Sequence, residues 1–135
     1  MAVQNPYEKY KSNIVFTASK EELTLMLYDG ALKFCNQAIT ALDNNEIERA
    51  NELIIKVENI IREFQLTLSR DFDISQYFDS MYTYLYDRLI EANLKKDKSI
   101  LEEVRGFIRE LRDTWKDAMK LARTSAAAKP GTEEL

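Results

Sequence analysis

The stretch "TASKEELTLMLYDGALKFC", Thr17 to Cys35, decides how the rest of the chain is read. Ser19 and Glu22 stand as S-x-x-E. In this capping box, hydroxyl and carboxylate each satisfy the other residue's backbone N–H, so a helix starts near Lys20. Leu23, Leu27, Gly30, Ala31, Phe34, Ala38 and Leu42 then recur at three- and four-residue spacing and predict an inner stripe. Gly30 fits a close helix crossing. A second apolar set, Leu25, Tyr28, Leu32, Cys35 and Ile39, adjoins the first at the same spacing. At ~100° per residue the two sets cover more than half of the circumference. Either this helix is buried more deeply than its fellows, or the second stripe belongs to a groove for an extended or helical peptide.

Three further helical periods follow. "DNNE", Asp43 to Glu46, is a polar break in which Asn45 is the expected cap of a second helix ending near Leu68. Its inner stripe includes Leu53, Ile54, Val57, Ile61 and Phe64, with Ile55 and Leu66 opposite. "SRDFD", Ser69 to Asp73, precedes a third helix from about Ile74 to Leu94, with Phe78, Tyr82, Leu85 and Leu89 inside and Tyr77, Tyr84, Tyr86 and Ile90 off the stripe. "KKDK" follows, with Asp97 or Ser99 capping a fourth helix that ends near Arg123. That helix has one apolar arc, from Ile100 through Val104, Ile108 and Leu111 to Trp115, and an opposite charged face. Breaks this short fold sequential helices back antiparallel. The expectation is an all-α fold: an antiparallel up-down four-helix bundle over residues 19–123, a short N-terminal arm at 1–18, and a disordered tail at 124–135.

Composition narrows the function. The chain has 135 residues, enough for a self-standing core without staples. Three glycines and two prolines are few breakers for helix. A net charge of −4 argues against a nucleic-acid partner, because phosphate binding needs a basic face. No apolar run is long enough to insert in a membrane, and no secretory leader is legible at the start. The single Cys35, expected to be a small buried apolar group, suits a reducing cytoplasm. There is no histidine, hence neither the commonest general base nor the commonest transition-metal ligand. Adjacent acids such as Glu21–Glu22 and Glu102–Glu103 diverge by about 100° on a helix and read as solvated charge. No catalytic residue, metal site or cofactor is expected. A carboxylate-bridged metal bundle would ordinarily draw on Glu-x-x-His motifs.

Ahead of the capping box, "NPYEKYKSNIVFTAS" carries Tyr7, Tyr10, Ile14, Val15 and Phe16. These are greasy for a free arm, which either docks on its own bundle or awaits a partner. The leading segment also resembles the flagellin-specific export chaperones, the FliS family. The resemblance rests on N-x-Y-x-x-Y at Asn5–Tyr10, "TASKEEL" at Thr17–Leu23 and "LMLYDGA" at Leu25–Ala31. "MYTYLYDRLIEAN", Met81 to Asn93, and Leu101 to Ala118 are similar to later family blocks. Two departures stand out. Thr83 occupies a place where the family often has Asp, and "SRDFD" lacks a Gly-rich K-G-G-E turn.

The resemblance implies a cytoplasmic, non-enzymatic chaperone. Such a protein binds the C-terminal segment of flagellin, prevents premature polymerisation, and presents the client to flagellar export gate components of the type III apparatus. It also implies an arm, here Tyr7, Tyr10 and Val15, that covers part of the client site. Client contacts are then expected at Leu25, Tyr28, Leu32, Ile39, Ile55, Leu66, Tyr84 and Tyr86, with Asp29 as a polar anchor or simply a solvated acid. The alternative is a self-associating helical bundle without a flagellin client. A weak homodimer in the client-free state fits either reading.

Overall fold

Two of the four helices, the first and the last, begin on a side-chain cap, and two do not. The computed structural model describes residues 19–127; the arm with Tyr7, Tyr10 and Val15, and residues 128–135, lie outside them. Helix α1, Lys20–Asp43, opens on the capping box: the Ser19 N–H donates to Glu22 Oε1 at 3.0 Å and the Glu22 N–H to Ser19 Oγ at 3.1 Å. Asn45 is not a cap. It takes φ 60°, a left-handed conformation that asparagine tolerates, and turns the chain. Glu46 occupies the cap position of α2, Ile47–Thr67, and makes no side-chain cap bond. Helix α3 spans Ile74–Lys95 and closes on Lys96, also left-handed at φ 51°, whose N–H donates to the Ala92 carbonyl. Asp97 caps α4, Lys98–Ala127, by accepting from the Ser99 N–H at 2.9 Å and the Ser99 hydroxyl at 2.6 Å. Helix α4 thus runs past Arg123, and residues 124–127, expected in the tail, are helical.

The helices form a closed antiparallel ring in which α1 and α3 each pack against both α2 and α4. Lys98 Nζ meets Asp43 Oδ1 at 2.9 Å at one end, and Trp115 Nε1 donates to the Glu21 carbonyl at 3.1 Å at the other. Between α2 and α3, Gln65 pairs with Thr83 and Asn93 with Asn51. The architecture is the all-α four-helix bundle that the periodicity predicted. Its core runs through Ile54, Val57, Ile61, Leu85, Leu89, Leu101, Val104 and Ile108, all completely buried.

Helix α1 departs from its expected partition. Tyr28, Leu32 and Ile39, expected among the client contacts, are core side chains at 1%, 7% and 7% exposure, and Cys35 is buried as expected. Leu27, Phe34 and Leu42, placed inside, are only half-buried. The reason is that α1 packs more extensively against both α2 and α4 than α3 does, so the direction of deepest burial lies between them and the apolar arc is centred there. Small side chains at Ala31, Cys35, Ala38 and Ala41 allow that depth. Burial pushes the Cys35 thiol up to about 12, so it remains protonated and inert. Gly30 does not mark a tight crossing: an added Cβ would stand 3.9 Å from Ile60 Cδ1, an ordinary contact.

Candidate functional site

Part of the apolar surface left over by this packing lies at one end of the ring and along one seam, while Ile47 and Leu94 are exposed at the opposite end. At the end where α1 and α3 begin and α2 and α4 finish, a cleft of about 290 Å³ opens to solvent. Its wall is aromatic and aliphatic: Phe64 from α2, Leu68 and Phe72 from the connection, Ile74, Phe78 and Tyr82 from α3, and Trp115 from α4. Lys20, Glu21 and Thr24 give it a polar lip. Phe72 and Ile74 are 66% and 57% exposed. The volume is at the small end for a metabolite site. An open apolar hollow with a polar lip suits side chains of another segment.

A buried pair of tyrosines underlies the cleft. Tyr28 Oη and Tyr82 Oη lie 2.6 Å apart, bridging α1 and α3 across the ring. Phe64 packs on both, with ring centroids 4.4 Å from Tyr28 and 5.3 Å from Tyr82, and Phe78 continues the stack at 6.1 Å from Tyr82. Burial raises both phenols, so both remain neutral. Tyr28 is therefore a structural member that holds Tyr82 in the cleft wall.

The second surface is the α2–α3 seam. Ile55 and Ile90 are exposed along it, Leu66 is 81% exposed at its outer edge, and Tyr86 is half-buried beneath the Arg62 guanidinium, 4.2 Å from the ring centroid. Among these, Ile55, Leu66 and Tyr86 are three of the expected contacts. Glu58 also lies on this seam and is buried to 7% exposure; its Oε2 has no hydrogen-bond partner, and desolvation raises its carboxyl above the usual range.

The remaining expected contacts are scattered. Tyr84 lies on the α3–α4 side, edge-on to Phe107 at 5.7 Å, and donates its hydroxyl to Glu103. Arg88 completes that group by pairing with Glu103 at 2.8 Å and Glu91 at 2.7 Å. Leu25 is half-buried on α1, and Asp29 forms an ion pair with Arg112 of α4 at 3.2 Å. Leu32 and Ile39 are in the core. The structure thus gathers Ile55, Leu66 and Tyr86 on one seam and separates them from Leu25, Asp29 and Tyr84. Sequence reasoning missed the cleft. Phe64, Phe78 and Trp115 read as core from their period, and only Phe72, an aromatic inside a polar break, gave a local signal.

Among the described residues, no three Cys, Asp or Glu side chains converge as metal ligands, and no helix is long and apolar enough to cross a membrane. Residues 3–122 match the family model described as flagellar protein FliS. A curated relative in Bacillus subtilis (strain 168), named flagellar secretion chaperone FliS, is 48% identical over 123 residues, covering 91% of this chain and 92% of the relative. Proteins of the same name in Escherichia coli (strain K12) and Salmonella typhimurium are 33% and 30% identical, covering 78% and 76% of this chain and 79% and 78% of their own length.

Proposed function

This chain belongs to the FliS family of flagellar secretion chaperones, and from that premise we propose that its client is the C-terminal segment of flagellin. It holds that segment in the cytoplasm, prevents premature polymerisation, and delivers it to the export gate of the flagellar type III apparatus. A secretion-chaperone role is non-enzymatic: the chemistry required is reversible burial of a client's apolar surface.

The observation that carries the reading is the combination of the aromatic cleft with the exposed apolar rim on the α2–α3 seam. A client that folds as it binds loses conformational entropy, so it needs a long apolar surface to offset the loss. Ile55, Leu66 and Tyr86 supply contacts along the seam, and Phe72, Ile74 and Phe78 supply the end. Leu25, Asp29 and Tyr84 take further turns of a segment wrapping the bundle. Tyr28, Leu32 and Ile39 act from inside, by fixing the helices that present these groups.

The arm, residues 1–18, joins α1 at the lip of the cleft, since Lys20 and Glu21 line it. Val15 is four residues ahead of Ser19 and so can reach up to about 14 Å from it. We assign Tyr7, Tyr10 and Val15 the task of covering the cleft while no client is present, which keeps aromatic surface from self-association.

Calorimetry with a peptide of the last ~40 flagellin residues, long enough as helix to run the bundle's length, tests the reading. A one-to-one complex with a negative heat-capacity change is expected. Absence of binding at concentrations of tens of micromolar, on the order of the weakest useful specific affinities, would count decisively against it. Tyr10→Ala should leave the bundle folded and change client affinity. Sedimentation distinguishes the self-associating alternative, in which a tight dimer persists after flagellin is added.

A further inference from the structure

We propose that Glu58 is a specificity-determining residue of the client surface: its carboxylate, buried at the base of the α2–α3 seam, accepts a hydrogen bond and ion pair from a lysine or arginine of the bound segment. This inference rests on the reading of the chain as a flagellin chaperone and names the chemistry that one of its surfaces recognises.

Three observations converge on it. First, Glu58 is 7% exposed and its Oε2 lacks any donor. Buried charged groups are normally paired, and an unpaired one is costly. Second, the obvious internal partners are engaged elsewhere. Arg62, one helical turn on, is stacked over the Tyr86 ring, and Lys56 sits 5.1 Å over the Phe34 ring on the α1 side. Third, the two helices of this seam carry exposed large apolar side chains, Ile55 on α2 at 40% and Ile90 on α3 at 37% exposure. One acceptor between apolar flanks matches a segment bearing a cation between apolar residues. The chain's net charge of −4 favours approach of a cationic ligand over an anionic one. About two helical turns along the seam, Asn93 bonds to Asn51 at 2.8 Å and leaves its Oδ1 buried and unpartnered. However those two amides are turned, one polar atom of Asn93 lacks a partner, so the seam holds a second point for a polar group of the same segment.

A buried carboxylate oxygen without a donor destabilises the free protein, so it is an expected price of recognition rather than of folding. Glu58→Gln keeps the shape and removes the charge. In the full-length chain it should raise the melting temperature yet weaken binding of the flagellin C-terminal peptide about tenfold or more, the scale of one charge-assisted hydrogen bond. Replacing the peptide's lysines and arginines one at a time by methionine should identify one position whose loss weakens wild type by a similar factor and adds nothing to Glu58→Gln. Three outcomes overturn the proposal while leaving the chaperone reading intact: a Glu58→Gln affinity within twofold of wild type, a lowered melting temperature, or a loss coupled to no client cation. Failure of wild type itself to bind the peptide overturns the chaperone reading and this inference together. If Glu58→Gln instead weakens self-association in sedimentation, with peptide affinity unchanged, the seam's partner is a second copy and the proposal falls.

Discussion

Helix α1 and the α2–α3 seam both carry more apolar side chain than one helix contact consumes, and they end in opposite states. On α1 the surplus is absorbed: Tyr28, Leu32, Cys35 and Ile39 are buried because α2 and α4 close around them. On the seam it is left in water, with Ile55, Leu66 and Ile90 exposed and a carboxylate trapped beneath. A stripe's hydrophobicity does not decide its fate. The extent of packing against neighbouring helices does, and it is greatest for α1.

The comparison predicts unequal responses to truncation. Tyr28→Ala should cost about 3–5 kcal/mol, as for other large buried aromatics, whereas Leu66→Ala should change stability by less than about 0.5 kcal/mol. Urea unfolding of both variants would break the contrast if the two losses were alike. A finer test concerns the tyrosine pair. Tyr28→Phe and Tyr82→Phe should each cost about 1–3 kcal/mol by orphaning the other hydroxyl, and the double variant should cost less than their sum. Additive losses would show that the 2.6 Å contact contributes no coupling.

Acid should loosen the ends and edges before the core. The backbone N–H and hydroxyl of Ser19 hold the Glu22 carboxyl below its usual range, Ser99 does so for Asp97, and the Tyr84 hydroxyl with Arg88 does so for Glu103. A carboxyl depressed in the fold contributes stability that is present above its ordinary range and lost as pH falls through the folded value. Melting temperature should therefore decline below about pH 4.5, where unperturbed carboxylates begin to protonate, and Glu22→Gln should show a shallower decline. The smallest effect is at Gly30. With 3.9 Å to Ile60 Cδ1 there is room for a methyl group, and Gly30→Ala should raise stability by about 0.5–1 kcal/mol through helix propensity. A loss would restore the close crossing that the glycine suggested.

The helices themselves were legible because each end is a local event. Ser19 with Glu22 and Asp97 with Ser99 act within three residues, and both caps stand where the pattern placed them. Asn45 was misread because its side chain suits both a cap and a left-handed turn, and only the path of the chain after Asp43 separates the two. The cleft was illegible for a different reason. Phe64, Phe78 and Trp115 belong to three helices, and their period says inside without saying that a hollow remains between them.

By itself, then, the order of residues determined four helices, their near-antiparallel succession and the family blocks from Asn5 to Ala31, since periodicity, capping and short breaks act over a few residues. The tertiary structure alone decided which arc of α1 is deepest, that Tyr28 meets Tyr82, that the end of the bundle is open, and that Glu58 Oε2 is buried without a hydrogen-bond partner. Burial is a property of neighbours brought together from far along the chain, and no local pattern records how closely they approach.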